Sequence, residues 1–273
     1  MENLLEALSF PFIQNALIAG LLVSMASGII GSLIVVNRMV FLAGGIAHTA
    51  YGGIGVAVFL GLPIFLGASV FAVAAALTIS IITLKHRERM DTFIGLMWAV
   101  GMAVGVVLID LTPGYNADFM SYLFGSILAV SQNDIYFMAG LLAVIIFIMT
   151  FWYRDILAVS YDSEYANLRG INVQFFYTLI LILSALTVVV AIKVVGLILV
   201  IALLTIPVYI AERLSNTLYM MMIFSGLFSS IFTVTGLWFA YEYDIASGAS
   251  IILISALSLF LFLGINKIKL LNN

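Results

Sequence analysis

The chain has no cysteine, only two histidines and few charged residues, which make up 8% of its 273 positions. The lack of cysteine excludes disulfide bonds and thiolate metal sites. Roughly a quarter of the residues in soluble proteins are charged, far more than the 8% here. Hydrophobic residues make up 64% of the chain. The composition therefore predicts an all-α, polytopic integral membrane protein in which residues 1–273 form one transmembrane domain.

Signatures of enzymes and of nucleic-acid binding are also missing. There is no glycine-rich phosphate loop followed by Lys and Ser or Thr, so any use of ATP has to come from another chain. His48 lies in an apolar run and His86 in a basic loop, and no dense cluster of histidines and carboxylates marks an enzyme centre. We predict a membrane protein that is not an enzyme, holds no permanently bound cofactor and does not bind nucleic acid.

Apolar stretches of about twenty residues, the length needed to cross the hydrocarbon core, recur along the chain. We count nine: 12–36, 40–60, 63–84, 93–111, 134–152, 174–192, 194–211, 218–240 and 247–265. Eight spans remain the alternative, because Lys193 alone separates two of these stretches. The apolar run 119–130 is too short to cross and suits a re-entrant or a surface helix.

The basic residues indicate an orientation, since Lys and Arg in short loops stay cytoplasmic. With nine spans and the N-terminus outside, nine of the ten Lys and Arg residues fall on the cytoplasmic side, and only Lys193 lies outside. The C-terminus is then cytoplasmic. The start of the chain holds Glu2 and Glu6 but no base, which is not typical of a cleaved signal peptide, so we expect the first helix to be retained.

One predicted span carries an imidazole. Gly44, His48 and Gly52 are four residues apart and share a helix face, with Tyr51 beside it. A polar ring in lipid is costly and usually faces a bundle interior or a water-filled path. Neutral imidazole binds zinc, manganese or iron. Two interpretations stay open: a metal contact, or a ring that only hydrogen-bonds a neighbouring helix.

The segment 153–172 is predicted to contain a short cytoplasmic helix. Asp162 can accept from the free amides of its first turn, and Glu164 suits the positive end of the helix. Arg169 suits the other end, and Gly170 can take the left-handed closing conformation. So small a helix generally needs a surface to pack on, which is either a partner protein or its own bundle.

Proline and glycine mark two of the predicted spans. Pro207 frees the carbonyl of Leu203 from its helical hydrogen bond, so a bend is expected there. Gly101 and Gly105 give the span 93–111 a small-residue face suited to close helix contact.

Three segments together resemble one family. The stretch 44–55 is similar to a family segment in which a Gly-Asp pair leads to Ser-His-Ala. The stretch 162–170 is similar to the family's cytoplasmic segment that docks on an ATPase, and 195–211 to its Val-Gly and Leu-x-x-Pro stretch. Over nearly its whole length the chain resembles the permease subunits of bacterial and archaeal ABC importers for zinc, manganese and iron.

This resemblance implies roles for particular residues. His48 matches the histidine implied in metal passage, as a pathway or gate residue. The pathway lining would include Gly44, Tyr51 and Gly52; the ATPase docking segment Asp162, Glu164, Ala166, Arg169 and Gly170; and the hinge Pro207. The family usually has aspartate where this chain has Gly44, so a carboxylate is missing. Asp110 is a candidate substitute, with an ordinary interfacial acid as the alternative.

The resemblance also implies partners and a location. A second permease copy would complete a homodimer, two ABC ATPase subunits would use ATP, and an extracytoplasmic metal-binding protein would deliver the ion. The setting would be the lipid of the cytoplasmic membrane of a bacterium or archaeon. The alternatives are an ABC permease for a cofactor or iron chelate, and an ion-coupled secondary transporter. The latter normally needs intramembrane acids, which the span centres almost lack.

Overall fold

The structure, a computed structural model, describes residues 10–85, 90–112 and 125–271, and it is helical over nearly all of them. In chain order the α-helices are α1 (Pro11–Val36), α2 (Val40–Leu60), α3 (Ile64–Lys85), α4 (Met90–Asp110), α5 (Gln132–Tyr161), α6 (Ser163–Leu168), α7 (Val173–Val195), α8 (Val200–Leu214), α9 (Leu218–Tyr243) and α10 (Ser247–Leu271). The all-α prediction is confirmed. Glu2, Glu6, His86 and residues 119–124 lie outside the described ranges, and the described end of the 119–130 run is a 3-10 turn, Ile127–Ala129.

Among the described residues, eight helices are long and apolar enough to cross a membrane: α1 to α5, α7, α9 and α10. Helix α2 has the predicted bounds, 40–60. Helix α5 continues to Tyr161, past the predicted end of its span at 152. Its backbone leaves the helical conformation at Trp152 (φ −116°, ψ 20°), so the helix kinks where the span was predicted to end.

The predicted span 194–211, the seventh in chain order, is wrong as a single membrane helix. Helix α7 runs on to Val195, and the chain then leaves helical geometry at Gly196, whose φ is +86°. Helix α8 begins only at Val200 and has 15 residues, about 22 Å at 1.5 Å per residue. Non-helical backbone at membrane depth is tolerated where protein covers it, and Gly196 and Leu197 are buried. The eight-span alternative fits the long helices.

Successive long helices run in opposite directions, apart from α7 and α9, which run in the same direction because α8 lies between them, and the helix ends define two faces of the bundle. The Arg38 face holds the α1–α2 turn, helix α6 and the end of α8. The Asp134 face holds the start of α5 and the end of α7, which an ion pair joins: Lys193 Nζ lies 3.3 Å from Asp134 Oδ2. The segment 196–214 therefore returns the chain from the Asp134 face to the Arg38 face, where Ser215 and Asn37 line one cavity.

The centre of the bundle is built on α1, which packs against α5, α7, α8 and α9. Small residues let α1 and α9 approach closely, since a Cβ at Gly28 would collide with the backbone of Gly226. The hydroxyls of Ser24 and Thr233 hydrogen-bond across this contact at 2.9 Å. Close approach and interhelical hydrogen bonds hold helices together where water cannot drive their association.

Candidate functional site

Helix α2 is held between α3 and α4 by glycines. A Cβ at Gly52 would lie 2.8 Å from the carbonyl oxygen of Gly101, and one at Gly55 would lie 2.6 Å from that of Gly105. Side-chain carbons do not approach backbone so closely, so both contacts require glycine on α2. The predicted small-residue face of α4 is thus used for contact with α2.

His48 lies in α2 with its ring fixed by two contacts. Its Nδ1 atom lies 2.8 Å from the carbonyl oxygen of Gly44. A carbonyl only accepts, so Nδ1–H donates, and the lone pair of the neutral ring is on Nε2. The indole of Trp98 stacks on the imidazole, with 3.9 Å between centroids and 23° between planes. The arrangement presents Nε2 as the ligand atom, which is how a metal-binding imidazole is oriented.

The ring lies at the lateral surface of the chain rather than in its core. Most of α2 around it is buried, but His48 itself is only partly so. Phe41, two turns earlier on α2, is 70% exposed. The ring is therefore only partly enclosed by this chain, and its part in metal passage stays a prediction.

Trp98 and Ile201 occupy the space beside Gly44. A Cβ at Gly44 would lie 2.7 Å from Ile201 Cδ1 and 2.9 Å from Trp98 Cζ3. An aspartate at this position would have to displace both side chains. The indole thus takes the place next to His48 where the resemblance leads one to expect a carboxylate. Sequence reasoning missed Trp98, because a lone Trp in an apolar run gives no signal of what it stacks on.

The other predicted pathway residues are packed inside the chain. Tyr51 is fully buried, and its ring lies against Gly105 of α4, where a Cβ would come within 2.5 Å of Tyr51 Cδ1. Gly52 is buried against Gly101, as described above. Helix packing alone accounts for Gly44, Tyr51 and Gly52, and their part in lining a pathway stays a prediction.

The structure does not bring Asp110 and His48 together within one chain. Trp98 marks the level of His48 on α4, and Asp110 is the last residue of that helix. Twelve residues of helix separate these levels by about 18 Å. Within the described residues there is no group of three or more His, Cys, Asp or Glu side chains that could hold a metal. Any role of Asp110 would be at the Asp134 face, away from the imidazole.

Helix α6 has the predicted caps. Asp162 accepts a hydrogen bond from the amide of Tyr165 at 2.9 Å. At the other end Gly170 takes a φ of +78°, and the amide of Ile171 donates to the carbonyl of Ala166 at 3.1 Å. This is the double closure expected of a glycine-capped helix end. The caps hold six residues in a helix that would not be stable alone.

Helix α6 rests on the bundle with one side and exposes the other. On the side of α6 that faces the bundle, Ala166 is fully buried. On the other side, Leu168 is 87% exposed and Tyr165 is half exposed. The guanidinium of Arg169 lies over the Tyr165 ring, 5.6 Å from its centroid. Ala166 therefore cannot touch a partner directly, and Leu168 and Tyr165, which sequence reasoning missed, form the outward surface.

A cavity of about 790 Å³, lined by polar and apolar side chains alike, opens on the Arg38 face beside α6. The α1–α2 turn contributes Asn37 and Arg38, the end of α8 contributes Glu212, and Ser163 belongs to α6 itself. Asn37 ties two helix ends together, because its amide donates to Ser160 Oγ at 3.1 Å. Because Ser163 of α6 lines the cavity, the cavity and α6 form one recess on this face.

Pro207 lies buried within α8, and the helix continues through it to Leu214. Helix α8 contacts both α1 and α2. Its Ile201 lies against Gly44 of α2, and a Cβ at Gly31 of α1 would lie 2.5 Å from the carbonyl oxygen of Leu204 in α8. This position links the α2 site to the Arg38 face. The hinge role of Pro207 stays a prediction.

The eight helices in the described part of the chain that can cross a membrane, the capped helix on one face and the imidazole within a span fit a multi-pass membrane permease. The chain belongs to the ABC 3 transport family, which it matches over residues 9–266. Because the match takes up nearly the whole chain, the protein is the membrane component of an ABC transport system, in the cytoplasmic membrane, and not an ATPase or another enzyme.

Relatives cover the chain almost completely. It is 44% identical to slr2045 of Synechocystis sp., an uncharacterized membrane protein, over 98% of this chain and 95% of that one. It is 32% identical to the manganese transport system membrane protein MntC of Listeria monocytogenes, over 96% and 92%. The solved structure of PsaBC from Streptococcus pneumoniae in complex with Fab matches with a TM-score of 0.86 and 32% identity, over 96% of this chain and 94% of that chain.

Proposed function

We propose that the protein is the channel-forming subunit of an ABC importer that moves divalent transition-metal ions into the cell. The observation that carries this is the partly exposed imidazole of His48, whose Nδ1 bonds the Gly44 carbonyl and leaves the lone pair on Nε2, in a chain 32% identical to a manganese transport membrane protein over 96% of this chain. A single nitrogen ligand binds a cation weakly, which suits transport because the ion has to leave as readily as it enters. Zinc, manganese and iron all fit an imidazole.

The proposed assembly has two copies of this chain, two ATPase subunits and an outer metal-binding protein. The partly exposed His48 ring is available to a second copy at the lateral surface. ATPase subunits would bind the recess on the Arg38 face, with Leu168 and Tyr165 of α6 as direct contacts and Asp162 and Gly170 keeping that helix in shape. The Arg38 face would be cytoplasmic, since Arg38, Arg154, Arg169 and Arg213 lie towards it.

Coupling would run from α6 to the imidazole through rigid elements. ATPase closure displaces α6, which follows α5 directly in the chain. Helix α8 reaches from the Arg38 face to Gly44, so movement of α8, with Pro207 as the hinge, would change the surroundings of His48. Such a mechanism needs helices with two discrete packings rather than a flexible loop.

The test is metal uptake by the purified complex. The chain and its ATPase partner are reconstituted in vesicles with the outer binding protein, and ATP-dependent uptake of radioactive zinc, manganese and iron is measured with mutual competition. An iron chelate and a corrinoid are offered in parallel arms. Uptake of a free divalent ion supports the proposal, whereas uptake of only a chelate or cofactor, or uptake driven by an ion gradient without ATP, contradicts it.

Substitution of His48 tests the site itself. His48→Ala and His48→Gln should each reduce uptake at limiting metal by about tenfold or more, since changes even one shell away from a metal cost that much. The assembled complex and its ATPase activity should persist. Full uptake by both variants would remove the imidazole from the mechanism without removing the transport function.

A further inference from the structure

A second cavity, apolar and about 660 Å³ in volume, lies between α5 and α9. Both helices pack on α1, which contributes Met25 and Ile29 to the lining of the groove between them. Met149, Met222 and Gly226 are nearly buried and form the floor of the groove, while Ile146, Ile223 and Leu227 form its exposed rim. All three helices are membrane spans. The groove therefore opens sideways from the protein at membrane depth.

Two hydroxyls along the groove, those of Thr150 and Ser230, already have partners in their own helices. Thr150 Oγ1 donates to the carbonyl of Ile146 at 2.7 Å, and Ser230 Oγ donates to that of Gly226 at 2.7 Å. An occupant of this part of the groove therefore needs no hydrogen-bonding groups. The two methionines have flexible, polarizable side chains that adapt to an irregular apolar guest. These properties favour a hydrocarbon chain.

The groove has the length of one membrane leaflet. Its lining runs from Tyr153 to Leu142 on α5 and from Tyr219 to Ser230 on α9. Eleven residues of helix measure about 16 Å, and half of the hydrocarbon core is about 15 Å. The tyrosines mark one end, with ring centroids 6.4 Å apart at 86°. Tyrosine is typical of the boundary between hydrocarbon and headgroups.

The headgroup end of the groove is at the Arg38 face. Tyr219 lies in the first turn of α9, which starts at that face. Arg154 directly follows Tyr153 and is exposed. A cation at this level attracts lipid phosphates.

The floor of the groove contains a glycine that has room for a Cβ. Gly226 is buried, yet the nearest atom to a Cβ built there is Met25 Cα at 3.8 Å. A Cβ at this position would therefore make an ordinary contact with α1 rather than a backbone collision, and Gly226 itself lines the groove. Buried helical glycines elsewhere in this bundle, such as Gly52 and Gly55, have backbone atoms within 3 Å instead.

We infer that the α5–α9 groove binds one acyl chain of a phospholipid from the leaflet at the Arg38 face, with the headgroup phosphate near Arg154. The occupied groove would tie α5, which leads into α6, to α9. Lipid would then be a structural partner at a defined site rather than only a solvent. This inference rests on membrane insertion alone and stands or falls independently of the transported ion.

The test uses a phosphatidylglycerol with a diazirine in the middle of one acyl chain, mixed into phosphatidylethanolamine vesicles that contain the full chain. After irradiation, labelled peptides are mapped by mass spectrometry. We expect labelling of the floor residues Met149 and Met222. Gly226→Leu should fill the groove and reduce labelling of the floor several-fold. Gly140→Leu is the matched control, because Gly140 is an exposed glycine of α5 with no atom within 4 Å of a built Cβ.

Several outcomes would overturn the inference. Labelling confined to the rim in the unmodified protein would show an ordinary lipid-facing surface, and equal floor labelling in Gly226→Leu would show that the groove is not the site. Loss of dimerisation in Gly226→Leu but not in Gly140→Leu would assign the groove to a second copy of the chain. If Gly226→Leu does not fold, Gly226→Ala is used instead and should reduce floor labelling by less. The ratio of floor labelling to rim labelling in the unmodified protein then decides whether an acyl chain occupies the groove.

Discussion

At the scale of single residues, the site differs from the expected pair of His and carboxylate. Gly44 supplies a carbonyl to His48 rather than a side chain, and Trp98 covers one face of the ring. An imidazole without a neighbouring carboxylate offers one nitrogen ligand and no negative charge to a cation. The aromatic contact also restricts the ring, so the direction of Nε2 depends on Trp98.

Restoring the carboxylate should therefore conflict with Trp98. We expect Gly44→Asp to lower the free energy of unfolding by about 1–3 kcal/mol, the usual cost of overpacking. Gly44→Asn serves as the uncharged control and should show the same steric loss. Adding Trp98→Ala should recover part of it, so that the double variant is more stable than the sum of the two changes predicts. Thermal unfolding in detergent measures this; strictly additive effects would contradict the clash.

At the scale of helices, the parts with strong local signals could be predicted from the sequence. The length of α2 followed from its apolar run, and the caps of α6 followed from Asp162 and Gly170. The break at 196–199 could not be foreseen, since Gly-Leu-Ile-Leu is as apolar as a span. Its cause is tertiary, because the backbone of Gly125 packs on Gly196. The contact of Trp98 with His48 joins α4 and α2, so the local sequence pattern of either helix could not predict it.

The break itself gives a prediction. Gly196 has φ +86° and ψ 164°, a region open essentially only to glycine. Gly196→Ala should lower the free energy of unfolding by about 1–3 kcal/mol. Gly140→Ala, in an exposed and helical position, should be neutral or raise it by about 0.5–1 kcal/mol. Equal melting temperatures for the two variants would show that the α7–α8 connection tolerates a Cβ.

Helix α6 gives a sharper test of docking than its buried alanine does. Leu168 is 87% exposed, so Leu168→Asp changes the outward surface without disturbing the helix core. We expect co-purification of the ATPase partner to fall at least tenfold, because charged residues are disfavoured at the core of an interface. Leu128→Asp, an exposed leucine near the Asp134 face, is the control. Retained ATPase binding by Leu168→Asp would place the docking surface elsewhere.

At the scale of the whole molecule, the bundle has an Arg38 face and an Asp134 face. The direction of transport depends on which of the two faces the cytoplasm. The cysteine-free sequence makes this measurable, since one introduced thiol is the only one present. Asn133→Cys lies near the start of α5 at the Asp134 face, and Asn216→Cys lies at the cavity on the Arg38 face. Both positions are exposed.

We expect a membrane-impermeant maleimide to label Asn133→Cys in intact cells. Asn216→Cys should react only after the membrane is opened, because arginines keep the Arg38 face cytoplasmic. Blocking with a permeant maleimide first should abolish both signals, which controls for reactivity. The reverse pattern would put α6 outside the cell, where no ATPase can reach it, and the coupling mechanism would fail with it. Labelling of both positions in intact cells would mean that the cavity opens through the bundle to the Asp134 face.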